Sequence, residues 1–334
     1  MTRSLRRALP GRRPGRCEPT RRQGAAGGDD ARGFALVAVL LVLALLGVLG
    51  AEFAYSMRLE ASAVRAWKEA VLAAHLAEAA VEQAVREIAG EGAWVGLGED
   101  GDLTFYARDG RALPRLPRRR VPLGAGEFSY RLSDEEGRLN VNTTPPDRLD
   151  RLLQALGLDK VERDTVVDSL MDWRDANEEH RLNGAESEDY YLRLPVPYRA
   201  RNANLDSVRE LLQVRGVTAA LFWGEGDRPG LVDLVTVKTP GEVNLNTASP
   251  LVLAAYGLAD AEITEIVQTR RATPYSTVPG RFTGRGLAAG TRTFRIEAEG
   301  WVGGQLRARL TAVVQRRPES TAQPVVVLEW TPYQ

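Results

Sequence analysis

The side chains best suited to binding a metal ion lie together in residues 168–191, DSLMDWRDANEEHRLNGAESEDYY. Asp168, Asp172 and Asp175 are spaced at i, i+4 and i+7, so a helix would place them on one face. Acidic and amide side chains continue in the following loop: Asn177, Glu178, Glu179, Glu186, Glu188 and Asp189. Calcium takes about six to eight oxygens from carboxylates, amides and backbone carbonyls. The segment therefore indicates a calcium site.

A solvated acidic loop resting on aromatic side chains is the alternative, and spacing alone leaves both interpretations open. Trp173, Tyr190 and Tyr191 would form the apolar floor of that loop. An EF-hand is not indicated, because the ligand spacing from Asp172 does not match it. His180 stands alone, as a surface or packing histidine does.

Catalysis has no sequence support. The chain has one cysteine, Cys17, and two histidines, His75 and His180, and it contains neither a Gly-x-Ser-x-Gly motif nor a phosphate-binding loop. Its many carboxylates include no pair that the sequence singles out. We therefore expect a protein that is not an enzyme.

Charge is distributed unevenly although the formal net charge is zero. Residues 1–33 hold nine arginines against three acids, which leaves 35 basic and 41 acidic residues in the rest of the chain. An acidic body does not favour general nucleic-acid binding, because phosphate requires a cationic surface. The Arg-, Gly- and Pro-rich leader has no apolar periodicity and is expected to contribute nothing to the fold.

A long helix is predicted from residue 34 to Gly90. Residues 34–51 carry no charge and are long enough to cross most of a bilayer. Beyond them, apolar residues recur at helical spacing from Val64 to Ile88, which indicates an amphipathic stalk. Gly90 is placed to end the helix.

Strands are predicted on both sides of a helical insert. Residues 91–126 are predicted to form a loop. Apolar and polar residues alternate over 128–132 and 139–141, which predicts a hairpin. Two further strands are predicted at 294–298 and 306–314. Between them, LNVNTTPP at residue 139 matches VNLNTASP at residue 243, and each precedes a predicted helix. The insert therefore contains an internal repeat.

Residues 211–221, LLQVRGVTAAL, leave a second function open. Two short helices joined at Gly216 would resemble a helix-hairpin-helix module, which binds a nucleic-acid backbone through turn amides. Arg209 and Arg215 flank the turn, but the neighbouring acidic segment would repel phosphate. A packing role is the favoured interpretation, and no nucleic acid is expected as a partner.

The Arg32-Gly33-Phe34 junction before the apolar helix resembles the leader of type IV pilin-like proteins. Together with the insert and its NVNT, DWRDANEEHRLNGAESEDYY and NLNT motifs, it is similar to the GspK family of minor pseudopilins of type II secretion systems. The resemblance implies that a prepilin peptidase cuts between Gly33 and Phe34 and methylates the new amine. Most pilins carry glutamate at the fifth mature residue, where this chain has Ala38, and a subunit without that charge suits the filament tip.

The resemblance also implies a calcium-binding head. The ligands carried over by position are Asp172, Asp175, Asn177, Glu186 and Asp189. The implied partners are GspI and GspJ, together with GspH, the major pseudopilin filament and the prepilin peptidase. The implied location is the bacterial inner membrane, crossed once, with the C-terminal domain in the periplasm. A minor pilin of a type IV pilus remains an alternative.

The expected fold is α+β: a long transmembrane and amphipathic helix, a pilin-like antiparallel sheet, and a large all-α domain inserted between strands. The expected segments are the leader 1–33, the transmembrane part 34–51, the stalk 52–90, the first part of the pilin-like domain 91–142, the insert 143–275, the remaining strands 276–318 and a C-terminal tail or strand 319–334.

Overall fold

The computed structural model describes residues 30–90, 92–318 and 323–333. Most of the predicted leader and Cys17 lie outside these residues. The chain divides into two units, residues 1–65 and 66–334. The described part of the first unit is helical throughout, and its apolar side chains are exposed.

The α-helices of the described residues are α1 (Asp30–Ile88), α2 (Pro146–Ala155), α3 (Lys160–Arg174), α4 (Ala219–Trp223), α5 (Leu231–Leu234), α6 (Pro250–Ala255) and α7 (Asp260–Ala272). Short 3₁₀ helices cover Glu135–Gly137, Tyr191–Arg193, Val208–Gln213 and Gly280–Phe282. The strands are β1 (Trp94–Leu97), β2 (Leu103–Tyr106), β3 (Val121–Leu123), β4 (Gly126–Asp134), β5 (Leu139–Asn140), β6 (Gly224–Glu225), β7 (Arg228–Pro229), β8 (Val235–Thr236), β9 (Val243–Asn244), β10 (Leu287–Ala288), β11 (Thr293–Val302), β12 (Gln305–Arg316) and β13 (Val325–Tyr333).

The second unit contains a five-stranded antiparallel sheet in the order β13-β12-β11-β4-β3. The C-terminal part of α1 packs on it through small and aliphatic side chains, including Ala73, Ala80 and Ala84. Gly300 of β11 permits close approach, since a Cβ there would overlap the Ala73 carbonyl oxygen. The predicted combination of amphipathic helix and antiparallel sheet is confirmed.

A buried ion pair also fixes α1 to this sheet. Arg118 donates to both carboxylate oxygens of Glu87 in α1, at 2.6 and 3.0 Å, and the Tyr130 hydroxyl donates to the same carboxylate at 2.8 Å. Arg118 and Glu87 are both nearly fully buried. Removing one partner would leave the other charge buried and unpaired, which is costly.

Two predictions about the strands are wrong. The predicted loop at residues 91–126 contains the antiparallel pair β1–β2 and also β3. The predicted hairpin between residues 128–132 and 139–141 does not form, because β4 pairs with β11 and β3 while β5 pairs in parallel with β8. The physical reason lies in the last residue of β4 and the two residues after it, which are buried against other elements and cannot form an exposed turn.

Those residues are three consecutive buried acids that begin at Asp134 and join the sheet to the insert. Asp134 accepts hydrogen bonds from the side chains of Asn244 and Thr247 in the insert, at 2.7 and 2.6 Å. The next residue, Glu135, accepts two bonds of 2.8 Å from Arg295 of β11. Burial raises the pKa of Asp134 to about 6. The polar side chains that join the two parts were not foreseen from the sequence.

The insert has its own hydrophobic core, built by helices α2 to α7 and the loops between them. It also contains two-residue strands, so it is helical but not free of strand pairing. Its core includes Phe282, Leu287 and Ala289 and so extends past the expected end at residue 275. The pairing of β10 with β9 carries the chain through this core before it enters the sheet at β11.

The two copies of the predicted repeat make matching contacts in the structure. Arg174 in α3 donates to the backbone carbonyls at Val141 and Thr144, and Arg270 in α7 donates to the two carbonyls at the matching positions of the second copy. Asn142 and Asn246 each donate to and accept from the backbone of a neighbouring loop. Each asparagine motif therefore braces its helix pair through buried backbone groups.

Candidate functional site: the apolar helix and the acidic loop

The apolar part of α1 has the length and composition of a membrane span. One stretch within the described residues, Phe34–Ile88, meets that criterion, and its most apolar window is entirely exposed. Phe34 is 77% exposed, and Ala38 lies on the same exposed helix. Gly33 and Phe34 lie inside α1, which begins at Asp30. Such an exposed apolar surface is unfavourable in water and indicates membrane or partner contact.

The acidic loop, residues 175–190, follows α3 and folds back on the end of that helix. Asp172 is fully buried, and its carboxylate accepts hydrogen bonds from the backbone N–H of Arg181 at 3.0 Å and from Arg181 Nη1 at 2.7 Å. The same Nη1 donates to Asp175 Oδ2 at 2.9 Å. One guanidinium therefore bridges two of the five predicted ligands.

Small and polar residues allow the loop this close return. Gly184 passes directly over Asp172, and a Cβ there would overlap the Oδ2 atom of Asp172. Asp168 accepts two bonds from Asn183, at 3.1 and 3.0 Å. Arg215 donates to the Gly184 carbonyl at 2.9 Å. The loop is therefore held from both sides by hydrogen bonds.

Aromatic side chains form the floor of the loop. Trp173 and Tyr191 are buried and meet edge to face, with ring centroids 5.2 Å apart. The aromatic floor that the sequence suggested is therefore present.

Glu186 is the most unusual acid of the group. It is 2% exposed, and neither carboxylate oxygen has a hydrogen-bond partner within the described residues. Burial, and then the nearby charges that include Asp172 and Asp175, raise the pKa of Glu186 to about 7. A buried carboxylate without a partner must hold a proton or meet a cation.

The other two predicted ligands lie at the edge of this group. Asp189 Oδ1 accepts the backbone N–H of Glu186 at 3.0 Å. The Asn177 side chain is exposed and donates to Asp175 Oδ1 at 2.8 Å. His180 lies 3.8 Å from Asp189, and the backbone hydrogen bond with Arg181 and the Asp189 charge raise its pKa.

The side chains of this loop have the chemistry that a calcium ion needs, but they do not converge on one point. The orphaned Glu186 oxygens are the ligand type that calcium prefers, and Asp172, Asp175 and Asp189 bring further negative charge. Within the described ranges, however, no three His, Cys, Asp or Glu side chains converge as metal ligands. Arg181, whose guanidinium lies between the Asp172 and Asp175 carboxylates, is the site residue that sequence reasoning missed.

The helix-hairpin-helix interpretation of residues 211–221 is not supported by their conformation. Val208–Gln213 is a 3₁₀ helix, and α4 has only five residues. The guanidinium of Arg215, which would have contacted phosphate, is used within the insert, over the Tyr190 ring and against the Gly184 carbonyl.

An antiparallel sheet packed on the end of a long, apolar helix, with a helical insert between two of its strands, defines a pilin-like protein. A chain of the GspK–GspI–GspJ complex from enterotoxigenic Escherichia coli has this fold, with a TM-score of 0.61 and 18% identity. The match covers 82% of this chain and 99% of the other.

Sequence comparison gives the family. A family model described as type II secretion system protein K matches residues 130–223. Protein K of Pseudomonas aeruginosa is 30% identical over 313 residues, which cover 85% of this chain and 88% of the relative. Protein K of Aeromonas hydrophila is 28% identical over 320 residues, or 85% and 92% of the two chains. The chain belongs to the type II secretion system protein K family, or GspK family, of minor pseudopilins.

Proposed function

We propose that this protein initiates or caps the pseudopilus of a type II secretion system, as the subunit at its tip. The observation that carries the proposal is the exposed apolar helix α1, which has alanine at position 38. A filament subunit with another subunit ahead of it needs a negatively charged side chain at this position of the helix. That charge would pair with the terminal amine of the neighbouring subunit. A subunit at the tip has no such neighbour, and an unpaired charge there would be costly.

The proposed partners are GspI and GspJ. A chain of similar fold has been solved within a GspK–GspI–GspJ complex. In the second unit, α1 also presents Trp67 and Val71, which are 67% and 37% exposed. These apolar side chains suit packing against other helices. GspH and the major pseudopilin would follow below the tip, and the protein's role would be assembly without catalysis.

The proposed location is the bacterial inner membrane, with one crossing and the C-terminal domain in the periplasm. The nine arginines of residues 1–33 agree with a cytoplasmic leader. A prepilin peptidase would then cut between Gly33 and Phe34. The proposed role predicts that deleting the gene stops secretion through this system, and that the intact chain restores it.

Processing can be tested by the mass and N-terminal residue of the protein made with and without prepilin peptidase. We expect a peptidase-dependent chain that starts at methylated Phe34. An uncut chain, or one cut beyond residue 51, would contradict the proposed pathway.

We further propose that the acidic loop binds calcium as a structural ion. Asp172, Asp175, Glu186 and Asp189 would supply carboxylate oxygens, and Asn177 an amide oxygen. The support is the pair of unpartnered, buried Glu186 oxygens in a group of like charges. When bound, calcium would neutralise these charges and hold the loop against α3.

This site predicts that calcium raises the melting temperature of the metal-free protein. Asp175→Ala should reduce that increase, and Glu188→Ala, at an exposed neighbouring position, should leave it unchanged. An equal increase in Asp175→Ala and wild type would contradict the assignment of Asp175.

A further inference from the structure

We infer that Arg181 is a cation supplied by the chain itself, which holds the acidic loop together without metal and competes with a divalent cation for the same carboxylates. This inference rests on the calcium site proposed above. Arg181 would set how strongly the site binds calcium, and it would allow the acidic loop to fold before calcium binds.

The contacts of Arg181 tie it to the site twice. Its backbone N–H donates to Asp172 Oδ2 at 3.0 Å, which fixes the position of the residue. Its Nη1 atom then donates to Asp172 Oδ1 at 2.7 Å and to Asp175 Oδ2 at 2.9 Å. A bridge of this kind is what a bound cation would otherwise provide between two carboxylates.

The bridge is also placed so that it can open. Asp172 is fully buried and cannot move toward solvent without disturbing the end of α3, but the Arg181 side chain is 42% exposed. Its guanidinium can therefore turn into water while the backbone bond to Asp172 stays in place. Water would solvate the displaced guanidinium, and the entering cation would replace it beside the buried Asp172 carboxylate.

Arg181 compensates only part of the local charge. The carboxylates that act on Glu186 are Asp172, Glu178, Asp175 and Asp189, and Glu186 itself has no partner. The excess negative charge favours a divalent cation. The guanidinium opposes that cation, because like charges a few ångströms apart repel strongly at a partly buried site.

Two consequences follow. The metal-free loop keeps a folded form, with Asp172 and Asp175 held by Arg181. Calcium binds more weakly than it would without the guanidinium, because binding must displace or tolerate a positive charge.

The test is calcium titration by calorimetry of the full chain in detergent after chelation, with melting curves of the same samples. Arg181→Gln should bind calcium at least tenfold more tightly than wild type and melt at a lower temperature in chelator. Arg199→Gln removes a charge from the same insert at an exposed residue paired with Glu188. It should change the calcium affinity less than twofold.

The outcomes separate this inference from the calcium site itself. Equal calcium affinity in wild type and Arg181→Gln would overturn the role of Arg181 and leave the site standing. Binding by Arg181→Gln alone would support the inference in its strongest form. Binding by neither protein would overturn both proposals.

A second variant covers the case in which Arg181→Gln does not fold. Calcium-dependent recovery of its fold would itself support the inference. If it stays unfolded with calcium, Arg181→Lys decides, because lysine keeps the positive charge but its side chain is one bond shorter and does not place its nitrogen where Arg181 Nη1 contacts both carboxylates. Its affinity should exceed that of wild type at least twofold, and an unchanged affinity would overturn the inference.

Discussion

Replacing Glu186 by glutamine should stabilise the metal-free protein, although the substitution lies in a buried site. Burial and neighbouring carboxylates raise the pKa of Glu186 from 4.5 to about 7. At 1.36 kcal/mol for each unit, this rise corresponds to about 3 kcal/mol between the protonated and ionised forms. Glutamine has the shape of the protonated acid and cannot ionise.

The pH dependence has a definite sign. The folded protein holds the Glu186 proton more tightly than the unfolded chain does, so the metal-free protein loses stability as pH rises from about 4.5 to about 7. The Glu186→Gln protein should not lose stability over this pH range, because glutamine does not ionise. The two proteins should melt together near pH 4 and differ by about 3 kcal/mol at pH 8, which is about 6 to 12 °C for a unit of this size.

Melting curves in chelator, taken from pH 4 to pH 8, measure this difference. Glu188→Gln is the matched control, since Glu188 is exposed and paired with Arg199, and its curve should follow wild type. A Glu186→Gln curve parallel to wild type across the whole range would refute the reasoning, because Glu186 would then ionise as in the unfolded chain.

Three further substitutions test other parts of the fold by thermal unfolding. Asp134→Asn should destabilise by about 2 kcal/mol at pH 4, where the raised pKa leaves no ionisation penalty to relieve, because an amide nitrogen cannot accept the bonds that this carboxyl accepts; an increase in melting temperature at pH 4 would contradict this. Gly300→Ala should lower the stability by about 1 to 3 kcal/mol, because the added methyl pushes α1 from the sheet. Gly290→Ala has open space around it and should change the stability little. Equal effects of the two substitutions would refute the close packing. Arg270→Met should lower the stability by about 2 to 4 kcal/mol, because it leaves two loop carbonyls unpaired. Arg271→Met, at an exposed position, should leave the stability nearly unchanged. An unchanged stability in Arg270→Met would contradict the bracing role.

The features that sequence predicted correctly are encoded by neighbouring residues. The apolar run in α1 and its amphipathic continuation are periodic over many turns, so local pattern suffices to find them. The repeat was visible because each asparagine motif combines a strand end with a helix start within eight residues. Its buried bonds to distant loops explain why those asparagines are needed, but only the structure identifies the partners.

The failures involve long-range pairing. Strand β4 pairs with β11, which lies more than 150 residues further along the chain, whereas local alternation predicted the nearby residues 139–141 as its partner. Arg181 was missed for a similar reason. An arginine within an acidic loop looks like ordinary charge alternation, and only the return of the loop over Gly184 brings it between Asp172 and Asp175. The calcium ligands stay predictions.

The central proposal is that this chain forms the pseudopilus tip with GspI and GspJ, and its assembly state tests this most directly. The processed full-length chain would be coexpressed with both proteins of the same organism and examined by native mass spectrometry in detergent. We predict a complex with one copy of each subunit, which Trp67→Asp should weaken. Recovery of the processed, folded chain alone, with GspI and GspJ both present and folded, would contradict the account.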